Sequence, residues 1–112
     1  MEKTDTLKKH EHFKNVYETG KSYANKYLVM YIKENQLETN RIGYTVTKKV
    51  GNSVVRHHIK RLLRECYRLN ESQFSSGLDI VVVARNTAKD VGFHELESSL
   101  LHLGKLHHIL NK

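Results

Sequence analysis

Seven of the chain's 19 lysines and arginines fall between positions 48 and 68: Lys48, Lys49, Arg56, Lys60, Arg61, Arg64 and Arg68. Glu65 is the only acid in that stretch, which therefore carries +6 of a net charge of +7. Arg56, Lys60, Arg64 and Arg68 recur at every fourth position, and on an α-helix each such step advances only about 40°. They form a ridge, with His57 and Arg61 beside it. A line of guanidinium and ammonium donors matches the phosphates of a nucleic-acid strand, and release of that strand's counterions drives association. An ordinary solvated helix face pairs opposite charges at this spacing, whereas like charges there cost about 0.2–0.5 kcal/mol per pair. The pattern is that of a phosphate-binding surface.

Other reactive side chains give less. Phe13 and Tyr17 share one helical face and Tyr27 and Tyr31 one strand face; such rings either fill a core or line a groove where unpaired bases stack. Eight histidines include the pairs His10/His12 and His57/His58. Neighbouring histidines diverge by about 100° on a helix, and the lone Cys66 leaves no zinc-type partner set. No metal site is assigned. Cys66 lies on an apolar stripe, where a thiol is inert packing. No nucleophile elbow, phosphate loop or dinucleotide fingerprint occurs, and Glu11, Glu65, Glu95 and Glu97 form no acid–base pair by spacing. No catalytic residue is assigned to the polypeptide.

The elements that must hold these groups read as α-β-β-α-β-α, a single α+β domain over residues 1–112. Phe13, Val16 and Tyr17 define a helix over 9–19, with Gly20 as its stop. KYLVMYIKE (26–34) and RIGYTVTKK (41–49) read as strands joined in an antiparallel hairpin. Ser53 is the expected N-cap of a helix over 54–69, whose inward stripe is Val55, Ile59, Leu62, Leu63 and Cys66. LDIVVVAR (78–85) is a strand buried on both faces, hence central. A helix over 93–110 turns Phe93, Leu96, Leu100, Leu103, Leu106 and Leu110 inward. With 112 residues, no proline and one cysteine, a disulfide-built secreted scaffold is excluded. No apolar run reaches the roughly 18 residues of a membrane span. The charged N-terminus has no apolar signal core, so a cytoplasmic location without membrane contact is expected.

The segment KKVGNSVVRHHIKRLLRE (48–65) resembles the signature of the bacterial ribonuclease P protein family, K-K-x-G-N-A-V-x-R-N-R-x-K-R-x-x-R. Lys48, Lys49, Gly51, Asn52, Val54, Arg56, Lys60, Arg61 and Arg64 match. LKKHEHFKNVYETGKSYANKYLVMYI, IGYTVTKK and LDIVVVARNTAKD resemble the rest of that family's chain. The resemblance implies a ribosomal-protein-S5-like sandwich with a left-handed β-α-β crossover. It also implies a protein that binds a catalytic RNA and the 5′ leader of precursor tRNA. There the RNA, with Mg²⁺ required by the holoenzyme, hydrolyses one phosphodiester to remove the leader. No protein-bound cofactor and no obligate protein partner are implied. Carried over, Asn52, Arg56, His57, His58, Lys60, Arg61, Arg64 and Arg68 would meet the catalytic RNA. Phe13, Tyr17, Asn25, Tyr31, Lys48 and Lys49 would meet the leader. His58 stands where the pattern has an arginine, exchanging a permanent charge for a titratable one. The usual proline after the Ala84-Arg85 pair is missing. The competing class is a ribosomal-protein-like binder that stabilises a folded RNA without touching any substrate.

Overall fold

The apolar run at 78–84 organises the molecule, because a strand with oily side chains on both faces cannot lie at an edge. In the computed structural model, which describes residues 4–111, the elements in chain order are β1 (Thr4–Thr6), α1 (His10–Thr19), β2 (Lys21–Ala24), β3 (Leu28–Glu34), β4 (Asn40–Thr45), α2 (Ser53–Asn70), β5 (Leu78–Ala84) and α3 (Phe93–Leu106). They form one sheet of five strands in the order β1-β4-β5-β3-β2. β5 is central and buried at every position except the half-buried Val83. It runs parallel to β4 and antiparallel to β3. The hairpin expected between β3 and β4 therefore does not form; β5 is inserted between them, and α2 carries the chain from β4 to its parallel neighbour.

Helices cover both faces. On one face α1 buries Val16 against Val81 and Leu7, with Phe13, Tyr31 and Val83 packed around them. On the other, α2 and α3 bury Ile59, Leu63, Cys66, Leu96, Leu100 and Leu103 against Leu28, Met30, Ile80 and Val82. Tyr27 joins this second cluster, so it does not share a face with Tyr31 as alternation along 26–34 implied. It precedes β3, which begins only at Leu28.

The local differences have physical causes. Asn52, one residue earlier than expected, caps α2, its Oδ1 accepting from the Val55 N–H at 3.0 Å. α3 stops at Leu106 because His108 turns to φ 58°, and Leu110 instead pairs with Phe74 in an isolated bridge. β1 and β2 are short edge strands with almost no buried side chain, so they carry no apolar alternation to read. Gly20 ends α1 as expected: a Cβ there would stand 2.6 Å from the Val16 carbonyl oxygen and 2.7 Å from that of Ile32.

Two polar contacts tie neighbouring elements together. Arg41 on β4 donates from Nε and Nη2 to the Asp79 carboxylate at 2.8 and 2.7 Å, and Asn35 adds a third donor at 3.0 Å. Asp79 is 2% exposed, so these donors take the place of water around its carboxylate. Replacing Arg41 by alanine strands that carboxylate and should cost about 3–5 kcal/mol of stability, read from urea unfolding. A loss below about 1 kcal/mol, the value of an exposed pair, would contradict this account. His107, which caps the C-terminal end of α3, donates from Nε2 to the Met30 carbonyl at 2.8 Å. Burial lowers its pKa from the ordinary 6.5. The unfolded chain then binds a proton that the folded one refuses, so this contribution is complete above pH 6.5 and fades as pH falls toward the lowered folded value. His107→Gln, which keeps a donor but does not titrate, should flatten the fall in melting temperature below pH 6.5; an unchanged slope would assign the acid sensitivity elsewhere.

Candidate nucleic-acid interface

Burial of Ile59, Leu63, Cys66 and Tyr67 fixes how α2 is rotated, and rotation decides what its cations meet. His57, His58, Arg61 and Arg64 are exposed, and Arg56 and Lys60 half-buried. Arg56 donates from Nε to the Gly51 carbonyl at 3.2 Å, bracing the loop that Asn52 shapes. The Arg64 guanidinium stands 5.8 Å from the centre of the Tyr44 ring, a cation–π contact that orients it without neutralising it. Among the described residues the salt bridges are Arg41–Asp79 and Arg68–Glu65. Arg56, Lys60, Arg61 and Arg64 thus remain uncompensated. Arg68 differs: it donates two bonds to Glu65, at 2.9 and 2.6 Å. That bond lowers the Glu65 pKa from its usual carboxylate value, so the pair is ionised at neutral pH. The free ridge ends one turn earlier than its spacing predicted.

The ridge is continuous with the aromatic side chains of α1. Lys60 and Arg64 share a cleft of about 260 Å³ with Leu7, Phe13, Gly43 and Tyr44, across the edge of β4 beyond the short β1. Phe13 lies directly on Gly43, where a Cβ would come within 2.4 Å of the ring. The Phe13 and Tyr17 centroids are 6.5 Å apart, and Tyr17 meets Tyr31 edge-on at 4.9 Å. The Tyr17 hydroxyl is bonded to that of Thr45 at 2.8 Å. Phe13 and Tyr31 also pack against the small core under α1, so packing is part of what these rings do. Tyr17 is the open member, 37% exposed.

Past Tyr31 the sheet register sets Ala24, Val29, Val83 and Thr45 in one row. Ala24 is exposed and the other three are half-buried: α1 covers this part of the sheet only in part. Lys48 and Lys49 are exposed just beyond the end of β4. Arg85, extended at φ −84° and ψ 164°, follows Val81 and Val83 in the alternation and is exposed on the same face. Thr45 and Arg85 belong to this groove and were not singled out from sequence. Arg85 closes an apolar strand and reads there as the start of a loop, without periodicity to mark it.

Asn25 is not brought to the aromatic rings. Its side chain lies on the α3 face, accepting from the Leu28 N–H at 3.1 Å and donating to the Ser99 carbonyl at 2.9 Å. Its groups are spent inside the fold. Burial pushes the Cys66 thiol up to about 12, far from a nucleophile's range. Burial likewise raises the Tyr44 phenol above the usual tyrosine value. Among the described residues no three His, Cys, Asp or Glu side chains converge as metal ligands, and no helix is long and apolar enough to cross a membrane.

A family model described as Ribonuclease P matches residues 1–107. The ribonuclease P protein component of Lachnoclostridium phytofermentans is 57% identical over 108 residues, covering 96% of this chain and 93% of the relative. Among solved structures, the Staphylococcus aureus RNase P protein superposes with a TM-score of 0.87 at 36% identity, covering 95% of this chain and 97% of that one. The Thermotoga maritima RNase P protein gives 0.84 at 31% identity, covering 91% and 96%. If Gly43 matters because Phe13 lies on it, Gly43→Ala must displace the ring and cost about 1–3 kcal/mol of stability as an overpacked contact. The double variant Gly43→Ala/Phe13→Leu should recover part of that loss; no recovery would mean Gly43 is needed for another reason.

Proposed function

The chain belongs to the ribonuclease P protein family, and from that premise we propose how its two surfaces divide the work of a precursor-tRNA-cleaving ribonucleoprotein. The uncompensated face of α2, with Arg56, Lys60, Arg61 and Arg64 flanked by Asn52, His57 and His58, grips the catalytic RNA. The groove of Phe13, Tyr17, Tyr31 and Thr45, with Lys48, Lys49 and Arg85 at its end, takes the single-stranded 5′ leader. Arg68 is a weaker contributor, because Glu65 already satisfies it. The observation that carries this reading is the continuity of the two surfaces across the β4 edge, where Lys60 and Arg64 border the Phe13 cleft. One protein can then touch both RNAs at once.

In this reading the polypeptide binds and orients, and hydrolysis belongs to the RNA subunit. Mg²⁺ bound by that RNA supplies charge neutralisation at the phosphodiester. The protein's own steps in this reading are binding and orientation. Its cations neutralise phosphates that would otherwise demand more counterion, and its rings hold unpaired bases by stacking. A leader fixed in the groove places the scissile bond relative to the RNA that the α2 face holds.

Reconstitution at low Mg²⁺ tests the proposal: adding the protein to its RNA and precursor tRNA should restore leader removal, and no gain in cleavage would refute it. Arg61→Ala or Arg64→Ala should weaken binding to the catalytic RNA and reduce the slope of log K against log salt by about 0.7–0.9 per lost phosphate contact. An unchanged slope would take that residue off the phosphate track. Tyr17→Ala should weaken binding of leader-bearing precursor by about 1–3 kcal/mol, the worth of one stacked base, and leave mature tRNA binding alone. Equal losses on both would make the ring a packing residue.

A further inference from the structure

The most densely bonded side chain at the end of the groove belongs to a residue that does not face it. Asn25 sits in the tight turn between β2 and β3, where its N–H donates to the Leu28 carbonyl at 2.9 Å. Its Oδ1 accepts from the Tyr27 and Leu28 N–H groups at 3.3 and 3.1 Å and from the Ser99 hydroxyl at 2.6 Å. Its Nδ2 donates to the Ser99 carbonyl at 2.9 Å and to His102 Nδ1 at 3.1 Å. The turn is thereby fixed both to itself and to α3. The main-chain carbonyl of the same residue accepts from Arg85 Nη1 at 2.7 Å, and the neighbouring Lys26 carbonyl accepts from the Thr87 hydroxyl.

Arg85 is therefore held through one of its own donors, Nη1. Its Nε and Nη2 have no protein partner among the described residues, and no carboxylate there pairs with it. A long, exposed side chain would ordinarily lose rotamer entropy on gripping a phosphate. Held beforehand, it loses less. The acceptor that holds it is a carbonyl whose direction is set by the Asn25 side chain on the opposite side of the sheet.

We infer that Asn25 is a positioning residue: it touches no RNA, and it orients Arg85 for a leader phosphate by fixing the carbonyl to which Arg85 is bonded. This rests on the groove reading above, and it reassigns Asn25 from leader contact to support.

A double-mutant cycle in the assembled holoenzyme separates the possibilities. The quantity measured is leader preference, the ratio of affinities for leader-bearing precursor and mature tRNA. Arg85→Ala should lower it about tenfold, as expected for a lost charged hydrogen bond. Asn25→Ala should lower it in the wild-type background and not further in the Arg85→Ala background. Additive losses would mean that Asn25 contacts the leader itself, and no loss from Asn25→Ala would mean that Arg85 needs no such support; either overturns the inference. Asn25→Asp keeps the acceptor for the Tyr27 and Leu28 N–H groups and loses both donors to α3. Retained preference at a lowered melting temperature supports the assignment, whereas preference that falls in step with melting temperature overturns it. This variant serves even if the alanine variant does not fold. A wild-type holoenzyme without any leader preference would instead defeat the groove reading, and would be seen before any variant is made.

Discussion

A helix that carries Arg56, Lys60, Arg61 and Arg64 without carboxylate partners can persist only if its other side is firmly anchored. Ile59, Leu63, Cys66 and Tyr67 supply that anchor, each at most 1% exposed. Burial of one large apolar side chain contributes about 1.5–3 kcal/mol, while each like-charge contact at i,i+4 costs about 0.2–0.5 kcal/mol. The anchor exceeds the repulsion several times over. The cations can stay unpaired within the protein, and in the proposed role phosphates would lower the same repulsion. Glu65, which engages Arg68, marks where this exposure of charge stops.

The central place of β5 has a second consequence. Because β5 separates β3 from β4, the sheet is wide enough that α1 covers only part of its face, leaving Val29, Val83 and Thr45 accessible beyond Tyr31. α2 and α3 occupy the opposite face and close the main core. The cationic ridge reaches the α1 side only around the β4 edge, where β1 ends after three residues. A cationic and an aromatic surface therefore meet along one short line, with Gly43 letting the tip of the Phe13 ring approach the strand closely. The Arg41–Asp79 pair stands at the other end of that face. There Arg41 Nη1 also lies 3.3 Å from His12 Nδ1 of α1, so the pair helps set where the helix rests.

What the sequence made legible follows from where its signals are strong. The stripe of α2 and the apolar run of β5 are periodic and long, and both elements lie where they were expected. The ridge residues Arg56 to Arg64 follow from the same periodicity. Strand order was not legible: polar residues 35–40 suit a hairpin turn as well as the wider connection past β5, and only the need to bury both faces of β5 decides between them. β1 and β2 were invisible because edge strands bury little. Phe13, Tyr17 and Tyr31 come together, whereas Tyr27 and Asn25 turn to the α3 face, because the strand starts two residues later than its composition suggested. Thr45 and Arg85 enter the groove through sheet register, which no single segment encodes.

The division of labour between the two surfaces can be read directly by tethered hydroxyl-radical cleavage. Cys66, the only native thiol, is fully buried, so iron chelates can be attached singly at Ala24→Cys beside the groove and at Glu65→Cys on the outward side of α2. In the holoenzyme with precursor tRNA, radicals from position 24 should cut the leader and those from position 65 the catalytic RNA. Cleavage of one and the same strand from both positions, or an uncut leader from position 24, would contradict the account.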